Sequence, residues 1–313
     1  MLRLAVASRA ETFDRIRDPL AERGIEVAHL RAKERAIRLT GEAAEPVTDP
    51  AVDSAADPAA DPVTDFDAGF VYPSRLMEGA ALDARLGLPW VNDRAAVAAS
   101  RNKAGVIATL DAAGLPVPAT TMVSNPVDEA AGIDAAEPCS FPVVVKPNSA
   151  TRGVGVAKAG DVDDLLGIVD YLNLVHDYRA TGDKSYLIQE FLPDARDYRA
   201  MVLADADGDP TYAGAVERRL PDERLRAGRW KHNVHRGAEA VGVDLPDRAR
   251  ELAEAAAATL GIDYLGVDLL ETGDGRLVVN ETNARPTVDA ATKYEPAFHD
   301  RLAGLIRRTA EKG

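Results

Sequence analysis

The sequence predicts an α/β protein: a small parallel α/β domain first, then a larger region where helices mix with antiparallel hairpins. Three observations predict it. From residue 2 to 91, apolar runs of strand length alternate with helically spaced stretches, the pattern of a parallel sheet with crossover helices. Further on, apolar runs come in close pairs around Asp207-Gly208 and Asp274-Gly275, which signals hairpins. An Ala-rich amphipathic stretch at 246–260, ended by Gly261, leads straight into the second of these hairpins.

In order, 2–7 reads as a strand, 11–23 as a helix closed by Gly24, and 25–30 as a second strand. A third strand is expected at 66–72, then a helix near 75–87 and a short strand at 89–91. Between the second and third strands, 41–65 consists largely of Ala, Asp, Pro and Val. Such a segment has too little apolar surface to offset its ordering entropy, so it is expected to be a disordered acidic loop. Residues 92–113 read as one helix with Asn92 or Asp93 as N-cap, Lys103 midway along it and Gly114 past its end. Pro116-Val117-Pro118 then gives an extended connection. Strands are expected at 185–191, 197–204 and 211–218, with a helix at about 161–175 and a closing helix at 295–310.

At 313 residues, 46% hydrophobic and 28% charged, the chain can bury a sizeable core in two or three lobes. No apolar run reaches membrane-span length, and the first residues are too short for a signal-peptide core. The single cysteine, Cys139, excludes an internal disulfide and a cysteine-based metal site, so a cytoplasmic location is expected. A net charge of −14 argues against general nucleic-acid binding. Only 8 of the 37 basic residues are lysine. With the acidic excess, this looks like the surface of a protein from a high-salt cytoplasm.

Chemistry concentrates in three places. With Asp274-Gly275 as a two-residue turn, Gly273 pairs with Arg276, Leu270 with Val279 and Asp268 with Glu281. Asn283 then shares the face of Glu281. Two carboxylates and one amide oxygen on stiff strands suit a hard cation such as Mg²⁺. Second, F-P-V-V-V-K-P-N-S-A-T-R-G-V-G-V sets Lys146 at the end of an apolar strand, before a loop containing Gly153 and Gly155. Glycines let backbone N–H groups approach phosphate closely and the lysine adds a point charge, although the P-loop order of residues is missing. Third, 218–236 is a basic stretch holding Arg218, Arg219, Arg224, Arg226, Arg229, Lys231 and Arg236. In so acidic a chain it implies a local anionic ligand. His232 and His235 stand three apart with no third His or Cys nearby, so zinc is not expected.

Taken in order, these pieces resemble the ATP-grasp ligases, and among them the RimK-type α-L-glutamate ligases, over nearly the whole chain. The family's two phosphate-side lysines fall on Lys103 and Lys146, and its Q-E-[FY]-[IL] hinge on Gln189-Glu190-Phe191-Leu192. Its D-x-R falls on Asp197 and Arg199, and its E-R-R on Glu217-Arg218-Arg219. The stretch F-R-x-N-x-H-R-G-G corresponds to W-K-H-N-V-H-R-G-A, with Lys231 and His232 ahead of Asn233, His235 and Arg236. The resemblance implies a pre-ATP-grasp domain at 1–92, a linker helix and N-terminal ATP-grasp lobe at 93–190, and a C-terminal lobe at 191–313. It also implies ATP with its adenine at Glu190–Phe191 and two Mg²⁺ or Mn²⁺ ions on Asp268, Glu281 and Asn283. Gly153, Gly155, Gln189, Asp197, Lys231, His232 and Asn233 would hold the nucleotide, while Arg199, Arg218, His235, Arg236 and Arg285 would face substrate. Lys146, Arg218 and Arg236 would assist catalysis. The implied reaction is amide formation between a carboxylate and an amine, with glutamate expected, in a homo-oligomer. One departure bears on substrate: the family's E-[VI]-N-x-S-P-G is E-T-N-A-R-P-T here. An E-x-N-x-R ending is more like carboxylating ATP-grasp enzymes, which keeps a different amine, bicarbonate or a phosphorylated substrate open.

Overall fold

The computed structural model describes residues 1–8, 11–34, 66–150, 154–175, 183–231 and 237–313. The expected loop at 41–65 lies outside them, as do Gly153, His232, Asn233, His235 and Arg236. Strand β1 (Leu2–Val6) runs parallel to both β2 (Ile25–His29) and β3 (Ala68–Phe70), in the order β2-β1-β3. The fourth strand expected at 89–91 shrinks to one parallel bridge between Trp90 and Gly69. A Cβ at Gly69 would lie 2.4 Å from the Trp90 ring, so only glycine permits that approach. Helix α1 (Glu11–Ala21) buries Phe13, Ile16 and Leu20 against this sheet, a helical stripe of the usual spacing. Helix α2 (Leu76–Leu86) ends at Gly87 in the left-handed conformation.

The single helix expected over 92–113 is two: α3 (Arg94–Arg101) and α4 (Lys103–Ala112). Asn102 breaks it. Its side chain accepts from Gly105 N (3.1 Å) as the N-cap of α4 and from Asn148 Nδ2 (3.0 Å), while Asn148 Oδ1 accepts from Ala104 N (2.9 Å). An asparagine that caps offers the backbone an alternative to the continuing helix. Lys103 is therefore the first residue of α4 rather than a mid-helix residue. Both helices pack on the C-terminal region, with Val97, Val106 and Leu110 in its core.

The central lobe is an antiparallel sheet of β4 (Thr120–Ser124), β5 (Val143–Pro147), β6 (Ala157–Ala159) and β7 (Ser185–Glu190), ordered β4-β7-β5-β6. Helices α5 (Glu129–Asp134) and α6 (Val162–Val175) accompany it. Val143, Val145, Tyr186 and Ile188 enter a core of their own with Leu165 and Val169 of α6. Alternation sends Lys146 and Gln189 to the opposite face.

The large sheet comprises β8 (Arg196–Ala204), β9 (Pro210–Arg219), β10 (Glu239–Gly242), β11 (Tyr264–Glu271), β12 (Leu277–Asn283) and β13 (Lys293–Tyr294). Its order is β10-β9-β8-β11-β12, with β13 on β9. A short helix α7 (Asp222–Arg226) follows β9, α8 (Asp247–Leu260) covers one face through Leu252, Ala253 and Ala256, and α9 (Phe298–Ala310) covers the other. Met201 and Leu203 of β8 and Tyr264 of β11 share a core with α9 and with Leu4, Val6 and Phe70 of the first sheet. Further along the same face of these strands stand Arg199, Asp197 and Asp268. One end of the face is thus apolar and covered, and the other charged. Among the described residues, no helix is long and apolar enough to cross a membrane.

Candidate functional site

The β11–β12 hairpin corrects one expectation and keeps its consequence. The turn has three residues rather than two: Gly275 N donates to Thr272 O and Thr272 N to Arg276 O, both at 2.9 Å. Gly275 takes φ +86°, the left-handed residue that closes such a loop. Leu270 consequently pairs with Val278, not Val279, and Leu269 with Val279. A bulge between Asp268 and Leu269 then absorbs Asn280, and Asp268 stands opposite Glu281 as expected. Two one-residue displacements cancel. The strand end is secured from α3 and the segment before it: Ser100 Oγ accepts from Ala284 N (3.0 Å), and Asn92 Nδ2 donates to the Ala284 and Tyr264 carbonyls.

The register sets Glu281, Asp268 and Arg199 side by side on β12, β11 and β8, with Asp197 opposite Arg218 on the next strand pair. Asp268 is 5% exposed. Arg199 grips it with Nε–Oδ1 at 2.7 Å and Nη2–Oδ2 at 3.0 Å, and Arg218 Nη2 reaches its Oδ2 at 2.9 Å. Burial would push this carboxyl up, but the two guanidiniums outweigh it and hold it below the usual carboxylate range. Asp197, partly buried, pairs with Arg218 (Nε–Oδ1 3.0 Å). Desolvation and the neighbouring Asp268 outweigh that pairing and raise its pKa. On the outer side of β9, Arg196 and Arg219 both bind Glu217.

Two lysines face this lattice from other elements. Lys103, 6% exposed, donates to Ala150 O (2.5 Å) and pairs with Glu281 (3.3 Å). Lys146, 5% exposed, donates to Gln189 Oε1 (2.9 Å) and to Asn280 Oδ1 (3.4 Å). Desolvation by burial pulls its pKa down to about 8, against the attraction of Glu281. Gln189 is held in turn by donating to Thr120 Oγ1 (2.8 Å). Gly155 has φ +75°, and a Cβ there would strike Pro147 at 2.7 Å, so its backbone lies close over the end of β5.

The remaining expected residues divide. Glu190 is turned toward the hairpin tip, with its carboxylate on Ala119 N (2.8 Å) and on both Arg276 terminal nitrogens. Hydrogen bonding from Arg276 holds its pKa down. Phe191 meets Trp230 edge-on at 5.6 Å, and Lys158 Nζ lies 4.7 Å from the Phe191 centroid. Lys231 donates to Val156 O, which joins the basic stretch to the Gly155 loop. Asn283 Oδ1 accepts from Arg285 N (2.9 Å). Arg285 itself points toward the first domain and donates to Tyr72 O.

Sequence reasoning missed Asn280, Asn148, Asn102 and Lys158. Asn280 directly follows the apolar run 277–279 in the sequence. A polar residue directly before Glu281 on a strand with one covered face was the available signal.

Among the described residues, no three His, Cys, Asp or Glu side chains gather as a metal cage. The oxygens expected to hold a cation are instead those of Asp268 and Glu281, opposite each other in the register, with Asn283 two residues further along β12. Their chemistry fits Mg²⁺ or Mn²⁺, which prefer carboxylate and carbonyl donors and retain water. A cation there has to share Asp268 with Arg199 and Arg218.

The family model for the RimK-like ATP-grasp domain matches residues 100–297. A "Probable alpha-L-glutamate ligase" of Legionella pneumophila (strain Corby) is 31% identical over 229 residues, covering 72% of this chain and 68% of the relative. A "Ribosomal protein bS6--L-glutamate ligase" of Escherichia coli O139:H28 is 30% identical over 210 residues, 66% of this chain and 63% of its own length. Among solved structures, the RimK domain ATP-grasp protein of Sphaerobacter thermophilus superposes with a TM-score of 0.61 at 24% identity, over 99% of this chain and 98% of that one. The biotin carboxylase of Campylobacter jejuni gives a TM-score of 0.66 at 16% identity, over 98% and 70%. These two share the fold. The chain belongs to the RimK-like ATP-grasp family, and it is an ATP-dependent ligase that joins a carboxylate to an amine.

Proposed function

We propose that the chain is a Mg²⁺-dependent L-glutamate ligase working through an acyl phosphate. The observation that carries this reading is the convergence of Lys103 and Lys146 on the Asp268–Glu281 pair, within a chain of this family. Asp268, Glu281, Asn283 and Asn280 would hold one or two divalent ions, which when bound supply charge neutralisation to the triphosphate. Lys146 exchanges its neutral oxygen partners for phosphate oxygens and Lys103 turns to them from Ala150 O and Glu281, with Lys231 and the Gly155 backbone beside them. Asn233, His235 and Arg236, which lie outside the described residues, would add to the anion-binding pocket as the family resemblance implies. Adenine lies against Phe191 and Trp230, near Gln189 and Glu190.

A substrate carboxylate oxygen attacks the γ-phosphorus, and the bond to the leaving ADP oxygen breaks. The amine nitrogen then adds to the acyl carbon, loses a proton, and expels phosphate. Arg218 and Arg199, fixed by Asp197 and Asp268, present guanidinium N–H groups to the oxygens on which charge develops. Positioning and charge neutralisation do most of the work, as phosphoryl transfer requires.

The test is ADP and phosphate release at high salt with Mg-ATP, glutamate and a cell extract as acceptor pool. Mass spectrometry then looks for products gaining about 129 Da, the residue mass of glutamate. A glutamate-dependent product supports the reading. ATP turnover without it refutes glutamate as the amine. A second reading, with bicarbonate or a phosphorylated substrate, is favoured by Arg285 in E-T-N-A-R, and turnover stimulated by bicarbonate instead would support it.

A further inference from the structure

Lys103 and Lys146 belong to different elements, yet their ammoniums end on neighbouring residues of β12: Lys103 on Glu281 and Lys146 on Asn280. Lys146 stands next to last in β5, in the central lobe. Lys103 opens α4, whose Val106 and Leu110 lie in the core shared with β8 and β11. Two cations can grip one anion together only if the segments that carry them are held at a fixed spacing. Those segments are joined right beside the lysines. Asn148 follows Lys146 by two residues and Asn102 precedes Lys103 by one, and their side chains meet at 3.0 Å.

Asn148 is buried, and each of its polar atoms is used at this seam. Its N donates to Ser185 O at 3.2 Å, which fastens it to β7 of the central sheet. Its carbonyl accepts from Lys103 N and from Lys103 Nζ, both at 3.4 Å. Oδ1 accepts from Ala104 N at 2.9 Å, and Nδ2 donates to Asn102 Oδ1 at 3.0 Å. Asn102 Oδ1 also takes Gly105 N, at 3.1 Å. The first turn of a helix has N–H groups without partners inside the helix, and a residue of another lobe here supplies part of the cap. An amide donates and accepts at once, as a carboxylate cannot. The interlock also gives the break between α3 and α4 a purpose: it sets Lys103 in a first turn, at the seam, instead of along the side of one long helix.

We propose that Asn148 and Asn102 are positioning residues: their amide pair fixes the spacing of Lys103 and Lys146, so that both ammoniums reach one polyphosphate. The role rests on the ligase reading, in which both lysines bind phosphate oxygens. Neither asparagine has to touch the nucleotide. Its effect passes through the lysines, so it grows with the number of phosphates the ligand carries and vanishes for a nucleoside.

The experiment titrates the full chain in Mg²⁺ with a non-hydrolysable ATP analogue, ADP, AMP and adenosine by calorimetry. Asn148→Ala removes the interlock. Asn102→Ser keeps a helix cap but is too short to hold Asn148 as well, so it separates positioning from folding and stays readable if Asn148→Ala does not fold. Asn102→Asp keeps both accepted hydrogen bonds and should recover most of what Asn102→Ser loses. In Asn148→Ala and Asn102→Ser the ATP analogue should bind about 10-fold more weakly, the scale of one or two hydrogen bonds. ADP should lose less, AMP less again, and adenosine should bind as it does to the parent. The melting temperature of Asn102→Ser should stay close to that of the parent. Equal weakening of all four ligands would make the pair merely structural and overturn the proposal. Loss in Asn148→Ala with Asn102→Ser at the parent level would overturn it too, since the pairing would then carry nothing. Lys103→Met and Lys146→Met distinguish the two levels of the reading. If they weaken the ATP analogue while both asparagine variants match the parent, the positioning role fails and the phosphate assignment stands. If neither lysine variant weakens it, the phosphate assignment fails, and the positioning role with it.

Discussion

The charges of the large sheet and that of Lys146, which faces it from the central lobe, are held in opposite ways. On β8, β9 and β11, arginines and carboxylates neutralise one another in a buried lattice: Arg199 and Arg218 on Asp268, and Arg218 on Asp197. Lys146, on the central lobe, rests against neutral oxygens, those of Gln189 and Asn280. A lattice whose charges already balance is structural as much as chemical. A buried cation against amide oxygens can be surrendered to a phosphate at small cost, because no ion pair has to be broken. Fixed charge and available charge occupy different lobes.

The largest expected effect tests the lattice. Arg218→Ala leaves buried Asp268 and partly buried Asp197 with one cation, Arg199, between them, and should cost about 3–5 kcal/mol of stability, read as a lower denaturation midpoint. Arg218→Lys keeps the charge and loses the fork. It should fold, bind nucleotide, and lose about 100-fold or more in turnover, as expected for removing a preorganised donor. If Arg218→Lys turned over at the parent rate, Arg218 would be purely structural.

Lys146→Met should behave in the opposite sense. Replacing an unpaired buried ammonium by an apolar chain of similar length should leave the melting temperature level or raised. Nucleotide affinity should fall about 10- to 100-fold. Destabilisation comparable to that of Arg218→Ala would erase the contrast between the two regions.

A pH experiment sharpens it. Desolvation sets the Lys146 pKa at about 8 in the free protein, below its ordinary value, whereas phosphate oxygens favour the charged form. Binding of ATP should therefore take up a proton near pH 8 to 9, and affinity should fall as pH rises through that range. Calorimetry in buffers of differing ionisation enthalpy measures the uptake, and Lys146→Met should abolish it. The sign for stability follows from the same shift. The unfolded lysine holds its proton up to about pH 10.4, so above pH 8 the unfolded state binds more protons. Stability from this residue therefore rises with pH across that window.

The smallest effect belongs to Glu190→Gln. Its bond to Arg276 joins the central lobe to the hairpin tip, but Arg276 is 44% exposed. Such a pair contributes about 0–1 kcal/mol, and the melting temperature should barely move.

The legible part of the molecule was whatever depends on local period and turn chemistry. The parallel strands at the start, the hairpins and α8 follow from spacing and glycine placement, and Asp268 opposite Glu281 follows from pattern on one face. The break at Asn102 was hidden, since an asparagine in a helical run becomes a cap only when Asn148, 46 residues on, arrives to hold it. The Asn280 bulge was hidden for a similar reason: a three-residue turn and an extra strand residue offset one another, leaving no trace in the pairing that matters. Arg285 was recognisable as a candidate, but its turn toward Tyr72 O of the first domain was not, since nothing local to E-T-N-A-R announces that a loop from another domain will receive the guanidinium.

The sharing of one core by α9, the first sheet and β8 has a consequence for synthesis. Leu4, Val6 and Phe70 lie in a cluster with Phe298, Leu302 and Ile306, roughly 230 residues downstream of β3. Contacts of such sequence separation form late and slowly. During translation the first domain must keep its apolar face waiting until α9 has left the ribosome, whereas the central lobe, with a core drawn from residues 119–188, can close while the chain is still growing. The middle of the protein should therefore be the first part to become protease-resistant on stalled ribosomes, and the first domain the last.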